Sequence, residues 1–382
     1  MASPDHASAR QGLPAYLSRH VSPATQFFRL RKPLLLESGA RLDEVTIAFR
    51  TWGDPANAAH NAVLICHALT GSADVDAWWP GIIGERGAFD PKSDFIICSN
   101  ILGSCYGTTG PVSLRPGSNE RWRGDFPRVT VRDMVNAQRA LLDHLGVEKL
   151  ALVTGPSLGG MQALEWAMMY PERVETIVPI GVAGRHSAWC IAMGEAQRQA
   201  IYADPHWNNG GYSDERVPEK GLAAARMMAI CSYRSWESFD ERFGRQVMDS
   251  GAFEVQSYLR YQGDKINGRF DANTYVRLTQ AMNDFDIARG RGDYLEAMRS
   301  IRQRALVVSI SSDLLYPPHE QQLLAQHMPN ARHALLRSAH GHDGFLIESG
   351  ELAGMIAAFR TSLHKRRAPR AERPACLSAV AE

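Results

Sequence analysis

Residues 153–160 read Val153-Thr-Gly-Pro-Ser-Leu-Gly-Gly160. Within them Gly155-Pro156-Ser157-Leu158-Gly159 fits Gly-x-Ser-x-Gly, a sharp strand-to-helix turn that lifts a serine hydroxyl above the end of a sheet. The flanks suit such a turn. Leu150-Ala-Leu-Val-Thr154 is a short apolar run of the kind that forms a buried parallel strand. Gly160 to Tyr170 holds good helix formers and stops at Pro171. Strand and helix pass very close at a strained nucleophile, so its neighbours must lack Cβ atoms. Small residues also serve at purely structural strand–helix turns, and the motif alone leaves that alternative standing.

Outward from the turn, buried-strand candidates recur. They are Ala62–Cys66, Asp94–Cys98, Thr176–Ile180, Ala305–Ile310 and His333–Leu336. Between strands, Val131–Leu145 carries apolar residues at three- and four-residue steps and predicts a helix. This alternation predicts an α/β fold: a mostly parallel central sheet with helices on both faces. Two further β-like runs, Phe27–Leu30 and Glu44–Thr51, with a Gly39 turn between them, predict an antiparallel hairpin at the sheet edge. The alternation breaks between 185 and 298, which is rich in Ala, Met, Arg and Gln. That stretch is expected to be a helical lid insertion in a core made of 23–184 and 299–363. Residues 1–22 are expected to form a loose N-terminal arm, and 364–382 a disordered basic tail.

Composition narrows the function classes. The 382 residues are 45% hydrophobic and 22% charged, with a formal net charge of +1, which suits a globular enzyme. No charge excess points to nucleic acid or to an anionic membrane. No apolar run approaches the roughly 18 residues of a membrane span. The N-terminus lacks the basic and apolar regions of a signal peptide. Six cysteines without a Cys-x-x-Cys pair read as reduced thiols, so a cytoplasmic location is expected.

A nucleophilic serine needs a base, and the base needs an orienting carboxylate. Asp313 follows the strand Ala305–Ile310 and is the candidate acid; a turn or cap aspartate is the rival reading. Ser338-Ala-His-Gly-His-Asp-Gly-Phe-Leu346 follows the last strand and holds two histidines. Gly341 and Gly344 bracket His342, at a loop-to-helix turn that would aim it over the sheet. His342 is therefore assigned as base and His340 to the rim. The remaining histidines are taken as surface or satisfied core residues. No His, Cys, Asp or Glu cluster has metal-ligand spacing, so no metal is expected. Attack on a carbonyl needs two N–H donors for the developing oxyanion. Leu158, next to the nucleophile, supplies one, and Leu69, in the loop after Ala62–Cys66, is the candidate for the other.

Several blocks together resemble the homoserine O-acyltransferase family, homoserine O-acetyltransferase type, of the α/β-hydrolase superfamily. They include Leu64-Ile-Cys-His-Ala-Leu-Thr-Gly71, Cys98–Pro111, Asp125–Met134, Gly159–Trp166, Ala225–Ser235, Arg242–Arg245, Ser257–Asp264, Arg269–Tyr275 and Gly341–Leu346. The resemblance runs from about residue 25 to about residue 362. It implies Ser157 as an acylated nucleophile, with Asp313 and His342 as acid and base. It also implies Arg226 for the amino-acid substrate's carboxylate and Asp343 for its ammonium group. Without the family, Arg226 reads equally as a surface helix arginine. The implied chemistry is ping-pong: acetyl-CoA, as co-substrate and not a resident cofactor, acylates the serine, and the L-homoserine hydroxyl takes the acyl group toward methionine. A homodimer through the lid helices is implied as well. The chain departs from the family pattern in the short loop after Gly71, in Asp76-Ala-Trp-Trp-Pro-Gly81, and at Pro156. These departures bear on donor and acceptor identity. Succinyl-CoA as donor, L-serine as acceptor, and a serine ester or thioester hydrolase are the alternatives; a non-catalytic binding protein is a further one.

Overall fold

The structure, a computed structural model, describes residues 12–367. Its centre is an eight-stranded sheet in the order β1-β4-β6-β5-β7-β8-β9-β10. The strands of its parallel part are β5 (Ala62–Ile65), β6 (Phe95–Ser99), β7 (Leu152–Pro156), β8 (Thr176–Ile180), β9 (Arg304–Ile310) and β10 (Ala331–Leu336). They run parallel from β6 across to β10. The edge is antiparallel: β1 (Gln26–Arg29) pairs with β4 (Thr46–Trp52), and β4 with β6. The Gly39 turn does not join these two strands directly. It closes a small hairpin of β2 (Leu34–Leu35) and β3 (Arg41–Leu42) inside the connection.

Successive side chains of a strand point to opposite faces. Ala62, Leu64 and Cys66 therefore enter one apolar cluster, while Val63 and Ile65 enter another. The same parity sends Ala305 and Val307 one way and Leu306, Val308 and Ile310 the other. Apolar runs arise because both faces must be covered. One face receives α1 (Val131–His144) and α2 (Leu158–Met169), through Met134, Leu141, Leu164 and Trp166. The opposite face receives the C-terminal helix, α10 (Ser349–Arg367), through Leu352, Ile356 and Phe359, together with Val75, Trp79 and Phe89. The start of α1 is fixed by a reciprocal cap: Thr130 accepts from the Asp133 amide, and the Asp133 carboxylate accepts from the Thr130 amide.

Between β8 and β9 lie α3 (Ala188–Tyr202), α4 (Glu219–Tyr233), α5 (Trp236–Phe243), α6 (Glu254–Asn267), α7 (Ala272–Asn283) and α8 (Tyr294–Ser300). Their apolar residues Leu222, Ala225, Ile266 and Tyr275 join the same cluster as α1 and α2. After β9, α9 (Pro318–His327) packs on the sheet through Leu324.

Both termini differ from expectation. The described part of the N-terminal stretch is not a loose arm: Ala15–Ser18 is helical, and Leu17 and Val21 are buried in the core. Leu17 sits on the helical turn and Val21 just beyond it, and burying two aliphatic side chains there outweighs ordering the chain. Helix α10 carries on to Arg367, past the expected start of the tail, because nothing before Pro369 interrupts it. The rest of the expected tail, and residues 1–11, lie outside the described residues.

Candidate active site

Ser157 sits between β7 and α2 with φ 55° and ψ −121°. That is a left-handed conformation that a side chain rarely adopts. The packing around it explains the glycines. A Cβ on Gly159 would lie 2.0 Å from the carbonyl oxygen of Cys66, and one on Gly155 would lie 2.3 Å from the same atom. Pro156 is accommodated as the last residue of β7.

His342 lies on a short turn, Gly341–Asp343, after β10. Its Nδ1 is 2.7 Å from Asp313 Oδ2. Asp313 Oδ1 in turn accepts from the backbone N–H groups of Leu315 and Tyr316, each at 2.9 Å. The carboxylate is thus pinned by three donors, and both side chains are buried. With Nδ1 occupied, Nε2 is the nitrogen left for the serine. Burial pushes the imidazole's pKa down; the charge and hydrogen bond of Asp313, with Asp343, push it up further, and the net shift is upward from 6.5. Tyr316, Phe345 and Tyr233 enclose the ring, with centroids at 5.3, 5.4 and 5.8 Å.

Ser157, His342, Leu69, Arg226 and Asp343 line one cavity of about 340 Å³. Leu158 opens α2 beside it, where first-turn amides have no intrahelical partner. The Leu69 loop is braced by His67, whose Nδ1 is 2.8 Å from the Ala68 carbonyl and whose Nε2 accepts from the Ile101 amide at 3.2 Å. Burial lowers the His67 pKa to about 4, so this is a neutral structural histidine. His340 lies off the cavity, with its Nδ1 3.1 Å from Ser238 Oγ.

The two polar substrate candidates do not pair with each other. Arg226, on α4, lies over the Tyr233 ring at 5.6 Å. Asp343 instead faces Arg234, whose Nε is 3.3 Å from Asp343 Oδ2. Arg234 stands inside the Ala225–Ser235 block, but its role was not legible there. Two more cations were also missed: Lys265 and Arg269 line the cavity, and Arg269 Nη1 donates to the Thr70 carbonyl at 2.9 Å. Lys265 sits on α6, which also carries Tyr258 and Ile266, and Arg269 follows its end; charge beside those residues was a usable signal. The Trp78-Trp79 pair has split duties. Trp78 lines the cavity; Trp79 is buried, and its indole donates to the Phe345 carbonyl at 2.9 Å. Among the described residues, no group of three or more His, Cys, Asp or Glu could hold a metal ion.

A nucleophile elbow, a buried His–Asp pair and a cavity with opposed charges can carry acyl transfer or acyl hydrolysis. Known proteins bear on both. The family model for the alpha/beta hydrolase fold matches residues 61–348. Homoserine O-acetyltransferase of Chlorobaculum tepidum is 52% identical over 343 residues, covering 90% of this chain and 96% of that protein. The enzyme of the same name from Trichormus variabilis is 55% identical over 346 residues, with 90% and 96% covered. Among solved structures, esterase E22 superposes with a TM-score of 0.81 at 29% identity, covering 88% of this chain and 99% of that one. Homoserine O-acetyltransferase from Bacillus anthracis also gives 0.81, at 25% identity, with 88% and 96% covered.

Proposed function

Because the chain belongs to the homoserine O-acetyltransferase family of the α/β-hydrolase superfamily, we propose that it moves an acetyl group from acetyl-CoA to the hydroxyl of L-homoserine through an acyl-serine. The observation that carries this reading is the meeting of Ser157 and His342 with Arg226 and Asp343 around one cavity. An α-amino acid brings one anion and one cation, and the cavity offers a counterpart for each.

In the first half-reaction Ser157 Oγ attacks the thioester carbonyl while His342 Nε2 takes its proton. The oxyanion is held by the amide of Leu158 and, as we assign it, that of Leu69. Collapse breaks the carbon–sulfur bond, and His342 returns its proton to the departing thiolate. In the second half the homoserine hydroxyl gives its proton to His342 and attacks the acyl carbon. Ser157 leaves and recovers the proton. Asp313 keeps Nδ1 protonated throughout and stabilises the imidazolium. Water must be excluded from the acyl-enzyme, and the aromatic enclosure of His342 and the helices between β8 and β9 supply that cover. The reaction activates a hydroxyl for later displacement on the way to methionine, and we place it in the cytoplasm. Trp189, Trp236 and Tyr261 stand exposed on the insertion helices, which supports the homodimer through the lid helices.

Two observations support other readings. The likeness to esterase E22 supports a hydrolase, and Lys265 with Arg269 at the cavity supports a succinyl donor. One experiment separates all three. Acetyl-CoA and succinyl-CoA are each offered with homoserine, with serine or with neither, and products are read by mass. The proposal expects O-acetylhomoserine and thiol release that depends on homoserine. Equal thiol release without an acceptor makes the protein a hydrolase. In the same assay Ser157→Ala must fall below about one part in a thousand of wild-type rate.

A further inference from the structure

Asp343, assigned above to the acceptor's ammonium group, has a cation of the chain itself beside it. Arg234 Nε stands 3.3 Å from Oδ2, and the two side chains are only 18% and 16% exposed. The partners come from different parts of the chain. Arg234 joins α4 to α5 in the insertion, and Asp343 follows β10. Around them the two segments form a tight seam. Ser235 Oγ donates to the Ala339 carbonyl, and Ser238 Oγ lies 3.1 Å from His340 Nδ1. Gly341 has φ +65°, and a Cβ there would sit 2.6 Å from the Tyr233 carbonyl oxygen. Arg234 is therefore held against Asp343 by backbone packing on both sides.

The groups that face Asp343 are Arg234, Arg226, His342 and Asp313. Burial pushes its carboxyl up; Arg234 opposes that first, then Arg226 and His342, while Asp313 adds to the rise, and the result stays above 3.8. Arg226 lies over the Tyr233 ring, whereas Arg234 is the cation at ion-pair distance from Asp343. Among the groups that face Asp343, two arginines balance two aspartates when the imidazole is neutral, while Lys265 and Arg269 add positive charge elsewhere on the cavity wall. A zwitterionic acceptor preserves that balance.

We propose that Arg234 is a positioning residue for acceptor recognition: it keeps Asp343 ionised and aimed into the cavity, so that Asp343 can take an α-ammonium group. This rests on the acceptor assignment under Proposed function. Removing the charge leaves a buried carboxylate with an aspartate neighbour, which takes up a proton nearer neutrality. A neutral carboxyl offers the ammonium only a weak contact.

The test uses the full chain and L-2-aminobutyrate, an acceptor analogue without the hydroxyl, as inhibitor competitive with homoserine. Its inhibition constant is measured from pH 5 to 9 for wild type, Arg234→Gln, Arg234→Met, Arg234→Lys and Asp343→Asn. Loss of the charge in Gln or Met should weaken inhibition about tenfold at pH 7 and move its acidic limb up by about one unit. Lys should recover most of the affinity. The burst of thiol release from acetyl-CoA should stay within about twofold, because the acyl donor has no α-ammonium group. Either charge-free variant suffices if the other does not fold. An unshifted profile in the charge-free variants, with Asp343→Asn weakened, overturns the proposal alone. An unweakened Asp343→Asn overturns the acceptor assignment and the proposal with it. Equal damage to the burst and to inhibition shows a purely structural Arg234 and also overturns it.

Discussion

Replacing Asp313 with asparagine preserves the shape of the site and reverses one proton. Asp313 Oδ1 receives two backbone N–H groups, and Oδ2 receives His342 Nδ1. An asparagine has one acceptor end and one donor end. The two backbone amides can only donate, so the amide oxygen must stay with them. The NH₂ group then faces His342 Nδ1 and forces that nitrogen to accept. The imidazole proton moves to Nε2, which can no longer take the serine's proton. The rival orientation would leave two buried amides facing NH₂, which costs about 1–3 kcal/mol for each lost partner. Losing the base in this way lowers the acylation rate by about 10⁴-fold. The swap is isosteric, so the thermal midpoint should stay within a few degrees of wild type. The assay is the pre-steady-state release of thiol from acetyl-CoA, with melting followed by circular dichroism. An Asp313→Asn protein that keeps more than about a tenth of the burst rate would refute the reasoning. So would one whose loss lies wholly in the acceptor step.

Arg226→Ala should raise the homoserine KM at least about tenfold, the scale of a lost charge-assisted hydrogen bond. Its thiol burst should be nearly intact, and equal loss in both half-reactions means that Arg226 lies on the donor's path. Gly159→Ala forces a Cβ to 2.0 Å from the Cys66 carbonyl oxygen; it should cost about 3 kcal/mol and lower the melting temperature by several degrees, and an unchanged melt contradicts the close approach. Glu320 is half-buried, and burial, then Asp313, pushes its carboxyl from 4.5 up to about 7. A raised acid contributes stability that is fully present below 4.5 and lost as pH rises through 7. Glu320→Gln should therefore gain in melting temperature over wild type between these limits and hold a constant gain above them. A pH-independent difference between the two proteins counts against the burial of this carboxyl.

The turn at Ser157 and the strands around it were legible because both are local. Glycine spacing, an apolar run and a helical period all lie within one window of sequence. The placement of Asp313 and His342 after the last strands was legible too, since a parallel sheet brings its carboxyl ends together. The partner of Asp343 was not. Arg234 reaches it from the insertion, and nothing in either segment states that they meet. His67 is one of the histidines that carry no sequence signal, yet its bonds to Ala68 and Ile101 shape the Leu69 loop. Leu17 lies on a single turn of helix and Val21 past its end, which is too little regular structure for a period to emerge in the sequence.

The tight fit of Gly341 against Tyr233–Ser235 has a consequence for anyone recombining parts of this fold. Insertions of this kind look modular, an invitation to exchange them between enzymes and so change what is accepted. Here the exchanged piece would also be the bearing on which the histidine turn rests. A chimera must inherit residues 339–343 from the same parent as 233–238, or the new substrate preference will arrive with a misaligned base.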